Sequence, residues 1–133
     1  MITYKQTLDG VKWETLTETL KADNFDNGRT PEQLKRSFEN SFAVCFAYDG
    51  ARVVGKARAL SDQVCNAYIV DVWTLSEYRR RGIASHIMNA LLEQLPGQHV
   101  YLFTDDMAEF YESLGFRKRP HGMEIVSGEW LKS

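Results

Sequence analysis

The stretch Val70-Asp71-Val72-Trp73-Thr74-Leu75-Ser76-Glu77-Tyr78-Arg79-Arg80-Arg81-Gly82-Ile83-Ala84-Ser85 decides how this chain is read. An apolar strand passes through a short polar turn and launches an amphipathic helix. In that helix Ile83, Ala84, Ile87, Met88, Leu91, Leu92 and Leu95 recur as one apolar stripe. A basic, glycine-containing loop at a helix N-terminus is a device for holding phosphate. The first-turn amides point outward unpaired, the helix dipole favours negative charge, and arginines add countercharge. Gly82 and Ala84 are small enough to let a ligand approach those amides. The glycines match neither G-x-G-x-x-G nor G-x-x-x-x-G-K-[ST], so nicotinamide and P-loop readings fail.

Working outward, residues 2–7 read as a strand, and a helical pattern starts near Asp9 or Gly10 with Val11, Trp13, Leu16 and Leu20 on one side. Residues 21–29 are dense in turn formers. Thr30-Pro31-Glu32-Gln33 opens a short helix, with Thr30 as N-cap, Pro31 in the first position and Gln33 completing a capping box. Residues 41–48 and 51–60 read as a hairpin about an Asp49-Gly50 type I′ turn, and Gly55 marks a bulge or a close backbone approach. Residues 64–74 form a fourth strand, in which Tyr68 and Asp71 share a face only if the strand is bulged. After the central helix, which stops at Pro96-Gly97, come a strand at 99–103 and a helix carrying Met107, Phe110, Tyr111 and Leu114. Gly115 ends that helix, and a last strand is expected from Phe116, broken at Pro120 and resumed over 123–126. The order implies a single α/β (α+β) domain over residues 1–133, built on a mixed, mostly antiparallel sheet.

Composition narrows the function. At 44% hydrophobic residues the chain can bury a real core, while a net charge of −2 argues against a nucleic-acid coat or an anionic-membrane binder. Cys45 and Cys65 lie in apolar runs and read as buried reduced thiols, and no signal-peptide pattern or membrane-length apolar run occurs. The cytoplasm is the expected compartment. His86, His99 and His121 lack metal-ligand spacing, so no metal is expected, and Ser85 lacks a G-x-S-x-G context.

Arg79-Arg80-Arg81-Gly82-Ile83-Ala84 fits R/Q-x-x-G-x-G/A, the pattern of the GNAT superfamily of acetyl-CoA-dependent N-acetyltransferases. Asp71-Val72-Trp73-Thr74 with Glu77-Tyr78-Arg79 resembles that family's strand and turn. Met107-Ala-Glu-Phe-Tyr-Glu-Ser-Leu-Gly-Phe116 resembles its second hallmark, a helix bearing Tyr followed by Leu-Gly-Phe. A finer similarity, in Ala59-Leu-Ser-Asp62, Asn66 and Leu102-Phe103, is to small plant-plastid and cyanobacterial members, described as acetylating arylalkylamines or protein lysines.

The resemblance implies a GNAT fold with helices on both sheet faces and splayed fourth and fifth strands. It implies acetyl-CoA as cosubstrate, with the amides of Arg81, Gly82, Ile83, Ala84 and Ser85 cradling the pyrophosphate and Arg79 and Arg80 screening charge. Backbone groups of Val72, Trp73 and Thr74 would hold the pantetheine arm and the thioester carbonyl, where such donors also stabilise an oxyanion. Tyr111 would protonate the departing thiolate. Asp71 is the first candidate base and Asp105 the second, with a helix N-cap as the alternative for Asp105. The expected acceptor is a small-molecule amine or a protein lysine, approaching residues 21–29 and the late strands near Trp13, Phe25 and Trp130. Direct transfer is expected, since no nucleophilic Cys or Ser stands out. An idle acyl-CoA-binding module is the rival. No nucleic acid or membrane partner is expected, and a homodimer is left open.

Overall fold

The structure, a computed structural model, describes residues 1–131. Two compact units divide the backbone, Met1–Leu102 and the segment from Phe103 onward. The first holds a five-stranded sheet in sequential order: β1 (Ile2–Lys5), β2 (Ala43–Asp49), β3 (Arg52–Ser61), β4 (Asn66–Thr74) and β5 (His99–Tyr101). Neighbours are antiparallel except β4 and β5, which run parallel as the ends of a crossover through α3 (Ile83–Glu93). Helices α1 (Trp13–Ala22) and α2 (Pro31–Glu39) precede β2.

Local chemistry explains the elements. The capping box forms as expected: Gln33 N donates to Thr30 Oγ1 at 3.2 Å and Thr30 N to Gln33 Oε1 at 2.9 Å. Leu34 and Phe38 are the buried side of α2, and Leu16 and Leu20 that of α1. Each such side chain contributes roughly 1.5–3 kcal/mol by leaving water.

Strand alternation sorts the sheet into two faces. Phe46, Lys56 and Trp73 form one cross-strand row, and Phe46 and Phe38 pack with ring centroids 5.1 Å apart, so this row faces the α1/α2 side. The adjacent row, Ala47, Gly55 and Thr74, faces α3. A Cβ on Gly55 would lie 3.0 Å from Ile83 Cγ2 and 3.1 Å from Ile87 Cδ1. Gly55 therefore lets the start of α3 settle on the sheet, and the bulge opposite Ala47 and Tyr48 adjoins it. Both sequence-level readings of this glycine hold.

Four expectations change. The hairpin turn is Gly50-Ala51, closed by Asp49 opposite Arg52, with positive φ (63°) at Gly50 alone, as a type II′ turn requires. β4 starts at Asn66, because Asp62 Oδ1 gathers the amides of Val64, Cys65 and Asn66 into a turn. Cys65 is consequently exposed, and Cys45 alone is a buried thiol, its pKa pushed up to about 11 by burial. Among the described residues no strand follows Phe116, and Met123, Ile125 and Val126 are exposed. In the second unit α4 (Ala108–Ser113) forms as expected, and the turn after it ends on Gly115 at φ 101°.

No helix of the described chain is long and apolar enough to cross a membrane. Replacing Gly55 by Ala should cost about 1–3 kcal/mol through over-packing against Ile83 and Ile87. A urea-unfolding midpoint lowered at unchanged m-value checks this.

Candidate active site

β4 is longer than the strand it borders. Its pairing with β5 ends at Tyr68 opposite Tyr101, while β4 continues to Thr74 paired with β3 alone. Alternate backbone groups of the residues beyond Tyr68 thus point into the gap where the strands part. Within this run Arg58 opposes Val70 and Lys56 opposes Trp73, so Ala57 alone faces both Asp71 and Val72. That is a β-bulge, and Asp71 adopts φ 62°, a left-handed conformation that Asp tolerates better than most residues. The bulge meets the condition read from the sequence. Tyr68, paired with Leu60, lies on the face of Arg58, and the Asp71 carboxylate swings to the same arginine.

Three cations converge on that carboxylate. Arg29 grips it with both terminal nitrogens, Nη2 to Oδ1 at 2.7 Å and Nη1 to Oδ2 at 3.1 Å. Arg58 Nε donates to Oδ2 at 2.5 Å. Lys56 Nζ donates to the Asp71 carbonyl at 2.9 Å and stands 3.7 Å from Oδ1. The side chains are only 10% (Arg29), 1% (Lys56), 14% (Arg58) and 12% (Asp71) exposed. Burial alone would raise the Asp71 pKa, but the Lys56 charge and the two arginines hold it well below the usual carboxylate range. Burial pushes Lys56 down to about 8, despite the opposing pull of Asp71.

Sequence reading missed Arg29, Lys56 and Arg58. In a strand, charged residues two apart normally mark a solvent face. The contrary signal lay in the neighbouring strands, since Lys56 sits between Phe46 and Trp73 in its row and lies 5.7 Å from the Phe38 ring centroid.

The turn from β4 to α3 carries the anion-binding geometry. Arg80 at φ 64° and Gly82 at φ 80° bend the chain into α3, whose N-cap Gly82 has no side-chain cap. His86 N donates to Gly82 O at 3.1 Å, which leaves the amides of Gly82, Ile83, Ala84 and Ser85 ahead of the helical ladder. Nothing lies within 4 Å of a Cβ built on Gly82, so the approach to these amides is open. Arg81 lies over the Tyr78 ring at 4.9 Å, and the Tyr78 hydroxyl donates to Asp49. Arg79 turns back instead, its Nε donating to Thr74 O at 3.3 Å. Asp23 at the end of α1 clips the same turn, accepting from Trp73 Nε1 at 3.0 Å and Ser76 N at 3.2 Å. The Trp73 ring is therefore committed to the core, and only its backbone borders the gap.

Within the second unit, Tyr111 is buried and edge-on to Phe110 and Phe116, and burial raises its pKa. Asp105 is exposed, and the N-cap of α4 is Met107 with no side-chain cap; Thr104 Oγ1 accepts from Met107 N at 3.0 Å in the turn ahead of the helix. Phe25 is half exposed, whereas Trp13 is half-buried and packs on Phe38 and Phe46.

Residues 11–116 match the model of the acetyltransferase (GNAT) family. This chain belongs to the GNAT family. A GNAT protein of Streptococcus pneumoniae shares 30% identity and a TM-score of 0.79, covering 97% of this chain and 100% of that one. An acetyltransferase structure from Xanthomonas campestris aligns at TM-score 0.83 and 23% identity, over 99% and 98% of the two chains, a likeness of fold. Among curated proteins, the "GCN5-related N-acetyltransferase 2, chloroplastic" of Arabidopsis thaliana is 34% identical over 77 residues, 55% of this chain and 30% of that protein. The N-acetyltransferase ycf52 of Gracilaria tenuistipitata is 30% identical over 104 residues, 72% of this chain and 57% of that protein. The match thus spans roughly a third to just over half of these relatives' length. The mixed sheet with parting β4 and β5 is the GNAT fold.

Replacing Asp71 by Asn would leave three buried cations without their carboxylate and should cost about 3–5 kcal/mol at pH 7. Because the folded pKa of Asp71 is depressed, its contribution is full above the unfolded value of 3.8 and is lost as pH falls below it. Denaturant midpoints of the two proteins should therefore draw steadily together as pH falls below about 4.

Proposed function

We propose that this protein moves acetyl from acetyl-CoA to a primary amine by direct transfer in a ternary complex. The observation that carries the reading is the continuity of two features: the parted stretch of β4 leads, within one turn, into the open amide cradle at Gly82. A pyrophosphate suits the cradle amides and Arg80 and Arg81, whose side chains are exposed beside them. Arg79, turned back on Thr74, shapes the turn more than it screens the ligand. The free edge of β4 at Val72, Trp73 and Thr74 supplies backbone donors for the thioester arm and for the carbonyl that becomes an oxyanion.

In this reading the neutral amine attacks the thioester carbonyl carbon, the tetrahedral intermediate collapses, and the C–S bond breaks. Tyr111 gives its phenolic proton to the departing thiolate. The phenol is protonated at neutral pH, and because burial raises its pKa the transfer must be helped by the negative charge that develops on the departing sulfur. Asp71, bound by three cations, serves to hold the bulge, and its low basicity suits that role better than proton abstraction. The ammonium proton then leaves to water, with exposed Asp105 as the second candidate acceptor. The free thiols Cys45 and Cys65 suit a reducing compartment such as the cytoplasm.

Calorimetry should detect coenzyme A at micromolar to millimolar concentration, and absence of binding there refutes the reading. Tyr111→Phe should leave that affinity within about twofold and lower kcat by roughly 10²-fold or more. Unchanged turnover would remove Tyr111 from the acid role.

A further inference from the structure

The cluster at the β4 bulge is unbalanced. Arg29, Lys56 and Arg58 carry three positive charges, and among the described residues Asp71 is the one carboxylate recorded against them. Burying cations without matching anions is costly, and the imbalance stands on four side chains each at most 14% exposed. Hydrogen bonding shows where spare capacity lies. Asp71 is saturated by Arg29 and Arg58, and Lys56 is turned onto the backbone carbonyl. Arg58 uses Nε on Asp71 and reaches Ser37 O and Ser41 Oγ with Nη1 only at 3.4 Å. Each arginine has five donors, so both retain unused ones. The phosphate cradle does not draw on this charge. It opens at the start of α3, which packs on the Gly55 face, whereas the cluster lies on the Lys56 face with α2. The free edge of β4 lies between the two.

We propose that the acceptor amine is a small molecule carrying its own carboxylate or phosphate, and that Arg29 and Arg58 bind that group beside the β4 bulge. This rests on the acetyl-transfer reading and names the acceptor class for it. The acid of the acceptor completes the charge balance that Asp71 leaves open, and binding it turns the amine toward the parted stretch of β4. Neutral amines and aliphatic diamines lack that anchor, and diamines bring charge of the wrong sign.

The test compares kcat/KM for matched acceptors with acetyl-CoA: β-alanine against β-alaninamide, and phosphoethanolamine against ethanolamine. A tripeptide with both termini blocked, whose central lysine carries its only charge, is the third arm. The acid of at least one pair should be favoured by about tenfold or more, the size of a charge-assisted contact. Which pair shows the preference distinguishes carboxylate from phosphate. Arg58→Gln should move that ratio toward one, and the ratio within one preparation is unaffected by how much of the variant is folded. Should Arg58→Gln yield no folded protein, Arg58→Lys should still reduce the ratio, since Lys loses the planar pair of donors. Ratios near or below one, a ratio unmoved by the Arg58 variant, or faster turnover of the lysine peptide would each overturn this proposal while acetyl transfer stands. A tenfold preference for succinyl-CoA over acetyl-CoA with a neutral amine would place the anion on the donor and likewise overturn it. Coenzyme A binding with no amine of any arm turned over would instead sink the acetyl-transfer reading, and this inference with it.

Discussion

The grip of Arg29, Lys56 and Arg58 on Asp71 is the constraint on which the working part of the molecule depends. A left-handed Asp costs on the order of 1–2 kcal/mol of backbone strain. It persists because its carboxylate and its carbonyl are both tied down, the carbonyl by Lys56 and the carboxylate by arginines from another strand and from the loop between α1 and α2. The bulge is thereby fixed in register. Without the extra residue, every side chain of β4 beyond Val70 would change face, and Trp73 would leave its row with Phe46 and Lys56.

From that register follows the arrangement of the two sheet faces. One face carries small residues, Ala47 and Gly55, where α3 must come close for its unpaired amides to stand beside the end of β4. The other face carries Phe46, Lys56 and Trp73, packed under Phe38. Asp23 joins the two by holding both the Trp73 indole and the backbone of Ser76. Small residues on one side and aromatic bulk on the other are not interchangeable, and this asymmetry puts the open amides of α3 on one side of the β4 edge and the buried cations on the other.

Local signals made most of this legible in sequence. The capping box at Thr30 and Gln33 and the apolar stripe of α3 are short-range patterns, and they needed no tertiary information. Gly55 announced a close approach without naming its partners, Ile83 and Ile87. Long-range facts were less accessible. Lys56 and Arg58 have the spacing of a solvated strand face, and only the neighbours in the sheet make them buried. Cys65 looked apolar by its run, yet Asp62 draws three successive amides into a turn and ends the strand at Asn66. The expected strand at 123–126 has the right composition, but the described chain gives it no partner strand, and β-propensity without a partner yields no strand.

Why such a site should be held by buried charge, when apolar packing is usually at least as stable, has a physical answer. Apolar side chains could fill the space between β3 and α2, but they could not hold a carbonyl and a carboxylate in a left-handed turn. Hydrogen bonds from Lys56 and the two arginines are directional, so they select one backbone conformation at Asp71 where dispersion would accept several. Neutralising Asp71 completely would need no more than one well-placed cation; with three, Lys56 and Arg58 tie its carbonyl and carboxylate to β3, and Arg29 ties the carboxylate to the loop between α1 and α2. The surplus positive charge is thus a by-product of fixing the backbone. It becomes an asset to whatever anion reaches the β4 edge from the α2 side.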